Sequence, residues 1–232
     1  MTTTVLKALT TDSVAALTND QVKALTTASV AAMTTDQVKA LESADIAVLS
    51  SAQVGALTTT QVGVLTATQV KSLSTGALAG LTTGTVQTLT STQLSALPAA
   101  SVSALSTAQV AALTTSQVAD MTAALVSALT TTQVGGMTTA QVAALTTASV
   151  VALTATQVGA MGTSQVAALT TSQVKALETA DIAALSTGQV KALTTTQVAA
   201  MEVADLKALS STQVNALSAT QIGALTGAQL IG

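Results

Sequence analysis

Carboxyl, hydroxyl and amino groups are the side chains of this sequence that could take part in catalysis. Ser and Thr are abundant, but the chain has no His, Cys or Arg. A serine or threonine nucleophile needs an adjacent base. The seven Lys residues are spread along the chain and single out no particular hydroxyl group. We therefore predict no catalytic residues and no enzyme activity.

Carboxyl groups occur in three pairs in which Glu precedes Asp by three residues. The pairs are Glu42 and Asp45, Glu178 and Asp181, and Glu202 and Asp205. Paired carboxylates can serve general acid–base catalysis or bind a hard cation. Calcium loops, however, concentrate more carboxylates and usually contain Gly. We therefore interpret the pairs as helix caps on a solvent-exposed rim, and we predict no metal site and no cofactor.

These residues lie in a repeat of eight. Leu or Met recurs at every eighth residue from Met1 to Leu225 without one insertion, and we number each octad from this residue as position 1. The consensus is L-T-T-x-Q-V-x-A. The 232 residues form 29 such octads. We expect one continuous octapeptide-repeat domain over 1–232, with 1–8 and 225–232 as capping repeats, because the end repeats of a stack have fewer neighbours.

A short helix in each octad fits this pattern best. Thr34–Gln37 reads T-T-D-Q, which matches the capping box that starts a helix. Val at position 6 and the next Leu are three residues apart and share a helix face. A continuous helix would spread the Leu residues around its axis, and coiled coils need other periods. We predict an all-α solenoid, or superhelix, of about 29 very short helices.

A β-solenoid with two octads per coil is the alternative. It fits less well, because an extended chain would place positions 1 and 6 on opposite faces. It also needs frequent tight turns, yet no turn-forming residue recurs at one position in most octads. The period alone does not fix the number of octads per coil.

Residue types at each position indicate which side chains are buried. Position 1 accepts only Leu or Met, and position 6 accepts only Val, Ile or Leu. Position 4 varies freely, and every Lys occupies position 7. We predict that positions 1 and 6 form a continuous apolar core while positions 4 and 7 face water. Where position 5 changes from Gln to Asp, position 2 changes to Glu, which suggests that the two positions touch or serve one cap.

Composition excludes several classes of protein. There are no aromatic residues, charged residues make up 7% of the chain, and the net charge is −3. Nucleic-acid binding is not expected without a basic patch or aromatic platform. The 49% hydrophobic content argues against disorder. We expect no transmembrane segment, and the start MTTTVLKALTTDSV lacks the layout of a signal peptide.

The repeated Thr pairs at positions 2 and 3 are the most regular surface feature. They fit helix capping and solubility without charge. In a regular solenoid they would also form ladders of hydroxyl and methyl groups. Such ladders could bind a repetitive surface, such as ice or a polysaccharide, or favour self-association of the chain.

The segment ALTTTQVGGMTTAQV, from Ala128 to Val142, resembles octapeptide arrays in large secreted or surface-associated bacterial proteins, and Leu193 to Val198 matches the same consensus. The resemblance is one of repeat style, so no site residues follow from it. It implies an extracellular or cell-surface location and an adhesin-like stalk. We therefore expect a non-catalytic structural scaffold, acting as a spacer, a stalk or a fibre-forming segment, with binding of ice or polysaccharide through the Thr ladders as the alternative.

Overall fold

The computed structural model describes residues 2–231, and in that range each octad forms one short α-helix and no β-strand is present. Met1, expected at position 1 of the first octad, and Gly232, the last residue of the expected C-terminal cap, lie outside the described residues. The helices are α1 Thr3–Lys7, α2 Thr11–Ala15, α3 Asn19–Lys23, α4 Thr27–Ala31, α5 Thr35–Ala40, α6 Ser43–Ala47, α7 Ser51–Gly55, α8 Thr59–Gly63, α9 Ala67–Ser72, α10 Thr75–Leu78, α11 Thr83–Gln87, α12 Ser91–Ser95, α13 Ala99–Val102, α14 Thr107–Ala112, α15 Thr115–Ala119, α16 Ala123–Ser127, α17 Thr131–Gly135, α18 Thr139–Ala144, α19 Thr147–Val151, α20 Ala155–Gly159, α21 Thr163–Ala168, α22 Thr171–Ala176, α23 Thr179–Ala184, α24 Thr187–Ala192, α25 Thr195–Ala200, α26 Val203–Ala208, α27 Ser211–Ala216, α28 Ala219–Gly223 and α29 Gly227–Ile231.

Each helix begins at position 3 because the side chain at position 2 usually caps it. In α5 the Thr34 Oγ1 accepts a hydrogen bond from the Gln37 N–H at 3.1 Å, and Gln37 Oε1 accepts one from the Thr34 N–H at 3.0 Å. These reciprocal bonds satisfy two N–H groups that would otherwise lack partners at a helix start. Pro98 stands at position 2 before α13, where its fixed φ angle and missing N–H do no harm.

The bend after each helix uses ordinary extended backbone. Leu41, which follows α5, has φ −59° and ψ 131°, and Glu42 has φ −72° and ψ 160°. No described residue has a positive φ angle. The chain therefore turns sharply every eight residues without needing Gly at a fixed position.

Helices pack on helices from the next coil of the chain. α6 contacts α9, and α20 contacts α23, so the close neighbours are three octads apart. Side-chain hydrogen bonds reach further, to residues 28 and 31 positions earlier. One coil of the solenoid therefore closes after between three and four octads.

Positions 1 and 6 are buried in the core, as the sequence predicts. Leu113 is 4% exposed and Val118 is fully buried, whereas Ser116 at position 4 is exposed. Position 6 is covered by the following coil. Val214 and Ile222, which no described later coil covers, are 43% and 45% exposed.

The β-solenoid alternative is wrong, because every octad in the described chain is helical. Local capping stabilises the helical form, and the three-residue spacing of Val and Leu places both on one helix face. The described chain divides into two compact units, one extending to Met121 and the other beginning at Thr122. The pairing of helices three octads apart occurs within each unit.

Candidate functional site

The most regular polar feature is a buried glutamine at position 5 that links one coil to the preceding one. Gln53 Oε1 accepts a hydrogen bond from the Ser50 N–H at 2.9 Å. Its Nε2 donates to the carbonyl oxygens of Val22 and Leu25, both at 2.9 Å. Gln53 is 4% exposed. One amide group therefore caps its own helix and binds two backbone carbonyl groups of the preceding coil.

The same link recurs along both units, and we call these residues the inter-coil glutamines. In each of them Nε2 donates to the carbonyls 28 and 31 residues earlier, and the first of these distances lies between 2.6 and 2.9 Å. They are Gln37, Gln53, Gln61, Gln69, Gln93, Gln109, Gln117, Gln157, Gln165, Gln173, Gln189, Gln197, Gln213, Gln221 and Gln229.

Glutamine suits this position because its amide has one acceptor oxygen and two N–H donors on a flexible stem. The capping-box pattern predicts only the acceptor, as part of a helix cap, and gives no information on the two donors. Each of these bonds contributes about 1 kcal/mol net, and leaving one partner buried and unpaired costs about 1–3 kcal/mol. The repeated Gln at one core-facing position was the sequence feature that could have revealed the link.

The aspartates of the acidic octads lie in the same buried position. Asp45, Asp181 and Asp205 are only 2–4% exposed, whereas their Glu partners are exposed. The interpretation of a solvent-exposed rim is therefore wrong for Asp, because position 5 faces the preceding coil. The capping part of the interpretation agrees with the structure: Asp45 Oδ2 accepts a hydrogen bond from the Glu42 N–H at 3.1 Å.

Burial changes the acidity of these groups. Desolvation raises the pKa of Asp45, Asp181 and Asp205 above the ordinary value, and the neighbouring Glu charge raises it further. The hydrogen bond from the Glu backbone N–H opposes this shift without cancelling it. Each aspartate thus holds its proton more tightly than an exposed carboxyl group does.

A second change accompanies each aspartate. Position 6 is Val in most octads, but the residues next to the three aspartates are Ile46, Ile182 and Leu206. Aspartate is one methylene shorter than glutamine, and Ile or Leu is one methylene larger than Val, so the combined volume is kept. Ile46 and Ile182 are 1% and 0% exposed, which shows that the added methylene is buried in the core.

An open groove in the first unit brings a hydroxyl and a carboxylate together. Ser91 Oγ donates a hydrogen bond to Asp120 Oδ2, and both residues are exposed. The groove is lined by Ala67, Ser91, Thr92, Ser95, Ala96 and Asp120. A nucleophilic site also needs a general base oriented by a third group. Asp120 is the only acid or base among the residues that line this groove.

The charged side chains of the described residues offer no metal site. Among residues 2–231 no three Asp or Glu residues are placed to hold a metal ion together. Lys23 and Asp20 form an exposed ion pair at 3.8 Å, which contributes little. In the same range no helix is both long and apolar enough to cross a lipid bilayer.

Many Thr residues at positions 2 and 3 are exposed. Thr58 and Thr59 are both exposed, and so is Thr163. Thr at position 3 lies close to position 4 of the next coil. A Cβ added to Gly84 would lie 4.0 Å from Cγ2 of Thr59. At position 2 the hydroxyl is occupied by the cap, so position 3 offers the freer hydroxyl and methyl groups.

Comparison with known proteins identifies one family. The model of the ALTTAQ repeat matches residues 1–27, 38–75, 142–171, 174–203 and 198–231, which together make up more than half of the chain. A search of curated proteins found no match.

Proposed function

Because the chain belongs to the ALTTAQ repeat family, we propose that it is a non-catalytic structural scaffold, a spacer or stalk whose length is set by its number of octads. The observation that carries the proposal is the repetition of one coil-to-coil link. The inter-coil glutamines make the same bonds along both units, so each added coil brings its own core and its own links.

Uniformity supports a mechanical role over a binding role. In a solenoid each repeat contacts only near neighbours, so repeats can be added or removed without rebuilding a distant site. The two most distinctive polar features, the acidic octads and the groove at Ser91 and Asp120, contain no arrangement that supports catalysis. The scaffold therefore derives its properties from the repeated coil.

Removing whole octads tests the proposal. Deletion of Leu49–Ser72 takes out three octads and keeps the register, so that Gln93 would meet the carbonyls of Val38 and Leu41. We expect this variant to unfold cooperatively and to have a smaller maximum dimension by small-angle X-ray scattering.

Deletion of Leu49–Gly76 is the matched control, since it removes half an octad more and breaks the register. We expect this control to lose stability strongly. Equal stability of the two deletion variants, or loss of all cooperative unfolding in the shorter deletion, would contradict a scaffold built from interchangeable octads.

We further propose an extracellular or cell-surface location, with the array as a stalk or fibre-forming segment of a bacterial protein. The resemblance of Ala128–Val142 to arrays in such proteins supports this location. Labelling of intact cells of the source organism with an antibody against the array tests it, and labelling seen only after permeabilisation would contradict it.

Binding to a repetitive surface is the second candidate, and the exposed Thr rows favour it. Thermal hysteresis and a glycan array are the assays. Replacing position 3 Thr by Ser, for example Thr59→Ser and Thr163→Ser, removes methyl groups and leaves the position 2 caps intact. Binding that is present and falls in these variants supports the candidate, whereas no signal for the intact array removes it.

A further inference from the structure

Three positions of the coil-to-coil contact hold a carboxyl group where the inter-coil glutamines hold an amide. Elsewhere the amide Nε2 lies 2.6–2.9 Å from the carbonyl oxygen 28 residues earlier. Asp45, Asp181 and Asp205 are as deeply buried as all of those glutamines except Gln229, which is half-buried. An ionised carboxylate, however, only accepts hydrogen bonds. It cannot make the link that the inter-coil glutamines make at this position.

The carbonyl groups that precede the three aspartates by 28 residues accept no hydrogen bond within the described part of the chain. By the register of the glutamines they belong to Leu17, Leu153 and Leu177. Each carboxyl group has one hydrogen bond in this part of the chain, from the N–H of its Glu partner, at 3.0–3.1 Å. An ionised carboxylate here would be a buried charge without a donor, at a position where the inter-coil glutamines supply one.

We propose that the coil-to-coil contacts at these three aspartates tighten when the carboxyl group takes up a proton and loosen when it loses it. The neutral acid avoids the cost of burying a charge, and its O–H supplies a donor at a position where all the inter-coil glutamines donate. The anion removes that donor and restores the charge. The array is therefore firmer with these carboxyl groups protonated than with them ionised.

Charged groups on the packed helices do not neutralise the aspartates. Asp45 has Glu42 beside it, Asp20 and Lys23 on α3, and Lys71 on α9. None of the three aspartates forms an ion pair among the described residues. Lys23 pairs with Asp20 instead.

The other two aspartates lie on adjacent coils, since α23 contacts α26. Asp181 has Glu178 beside it and no charged residue on α20, while α26 and its cap carry Glu202, Asp205 and Lys207. Asp205 in turn has Glu202 and Lys207 on its own helix and cap, and Glu178 and Asp181 on the packed α23 and its cap. The helix α29 adds no charge. Carboxylates therefore outnumber lysines here, and the Glu charge of each octad also favours the protonated form of its own Asp.

The direction of the pH effect follows from proton binding. Burial raises the pKa of these groups in the folded chain, so the folded state keeps protons that the unfolded state has released. The free energy of unfolding therefore falls as pH rises through the interval between the unfolded and the folded pKa. The sequence contains no His, so no other side chain has an ordinary pKa between pH 5 and 8.

Thermal unfolding of the full chain between pH 4.5 and 7.5 tests the proposal. We expect the midpoint to fall by several degrees over this range. The triple variant Asp45→Asn, Asp181→Asn, Asp205→Asn carries a neutral donor at each site, so its midpoint should stay level and exceed that of the unaltered chain at pH 7.5. The matched control replaces the exposed Asp12, Asp20 and Asp36 by Asn and should keep the fall.

A level midpoint in the unaltered chain, or an undiminished fall in the buried triple variant, would overturn the proposal. Loss of the fall in the exposed control would overturn it too. If the Asn variant fails to fold, the variant with Gln at the same three positions restores the commonest residue. Carboxyl carbon NMR of the unaltered chain gives an independent reading: three aspartates must titrate above the others, and ordinary titration of all of them would refute the idea.

Discussion

Replacing one inter-coil glutamine by an apolar residue of similar shape isolates the energy of the coil-to-coil link. Gln117 is suited to this, since Oε1 accepts from the Thr114 N–H at 2.8 Å and Nε2 donates to Val86 and Leu89 at 2.9 and 2.7 Å. Methionine keeps the unbranched stem and much of the volume. Gln117→Met therefore removes three hydrogen bonds. The cavity that it leaves is too small to explain a large loss in the free energy of unfolding.

The expected loss follows from those three bonds. At about 1 kcal/mol net for each bond, with a further penalty for the carbonyl left buried, the free energy of unfolding should fall by about 2–4 kcal/mol. Urea-induced unfolding followed by far-ultraviolet circular dichroism measures it, since the denaturant midpoint shifts while the slope stays constant.

Two further glutamines make a graded series. Gln87 at position 7 is exposed, so Gln87→Met should cost less than about 0.5 kcal/mol. Gln21 caps its helix through the Thr18 N–H at 2.9 Å, but no bond from its Nε2 is found among the described residues. Gln21→Met should therefore cost about 1 kcal/mol. A loss for Gln117→Met no larger than that for Gln87→Met would refute the role of the inter-coil glutamines.

The remaining predictions concern the core and the closest coil contact. Leu113→Asp buries an unpaired charge and should cost about 3–5 kcal/mol, whereas Ser116→Asp on the exposed position 4 should cost less than about 0.5 kcal/mol by the same urea assay. Equal shifts of the urea midpoint for these two variants would contradict the burial of position 1 and the exposure of position 4. Gly80→Ala should destabilise the chain by about 1–3 kcal/mol, because its Cβ would clash with the backbone carbonyl oxygen of Ser51 in an earlier coil. Gly63→Ala meets nothing within 4 Å and should instead stabilise its helix by about 0.5–1 kcal/mol, so a gain from both substitutions would contradict the close approach at Gly80.

Local parts of the fold could be predicted from the sequence because they depend on neighbours within one octad. The cap between Thr34 and Gln37 spans three residues, and so does the step from Val at position 6 to the next Leu. Burial of positions 1 and 6 also follows from the residues they accept. Each of these features needs only helix geometry and side-chain chemistry.

The coil-to-coil contacts could not be predicted, because they depend on how many octads close one coil. Gln53 finds its partners at Val22 and Leu25, about three and a half octads back, and the eight-residue period carries no record of that distance. The burial of Asp45 was missed for the same reason. Its cap to Glu42 is local, but its exposure is decided by the coil it faces.

The most direct test of the coil-to-coil links is an NMR measurement of scalar coupling across the side-chain hydrogen bonds in isotope-labelled chain. The structure predicts that Gln117 Nε2 couples to the carbonyl carbon of Leu89, across a donor–acceptor distance of 2.7 Å, and that other inter-coil glutamines couple to carbonyls 28 residues earlier. Coupling to carbonyls about two octads earlier, or none in a chain that remains helical and cooperatively folded, would contradict it.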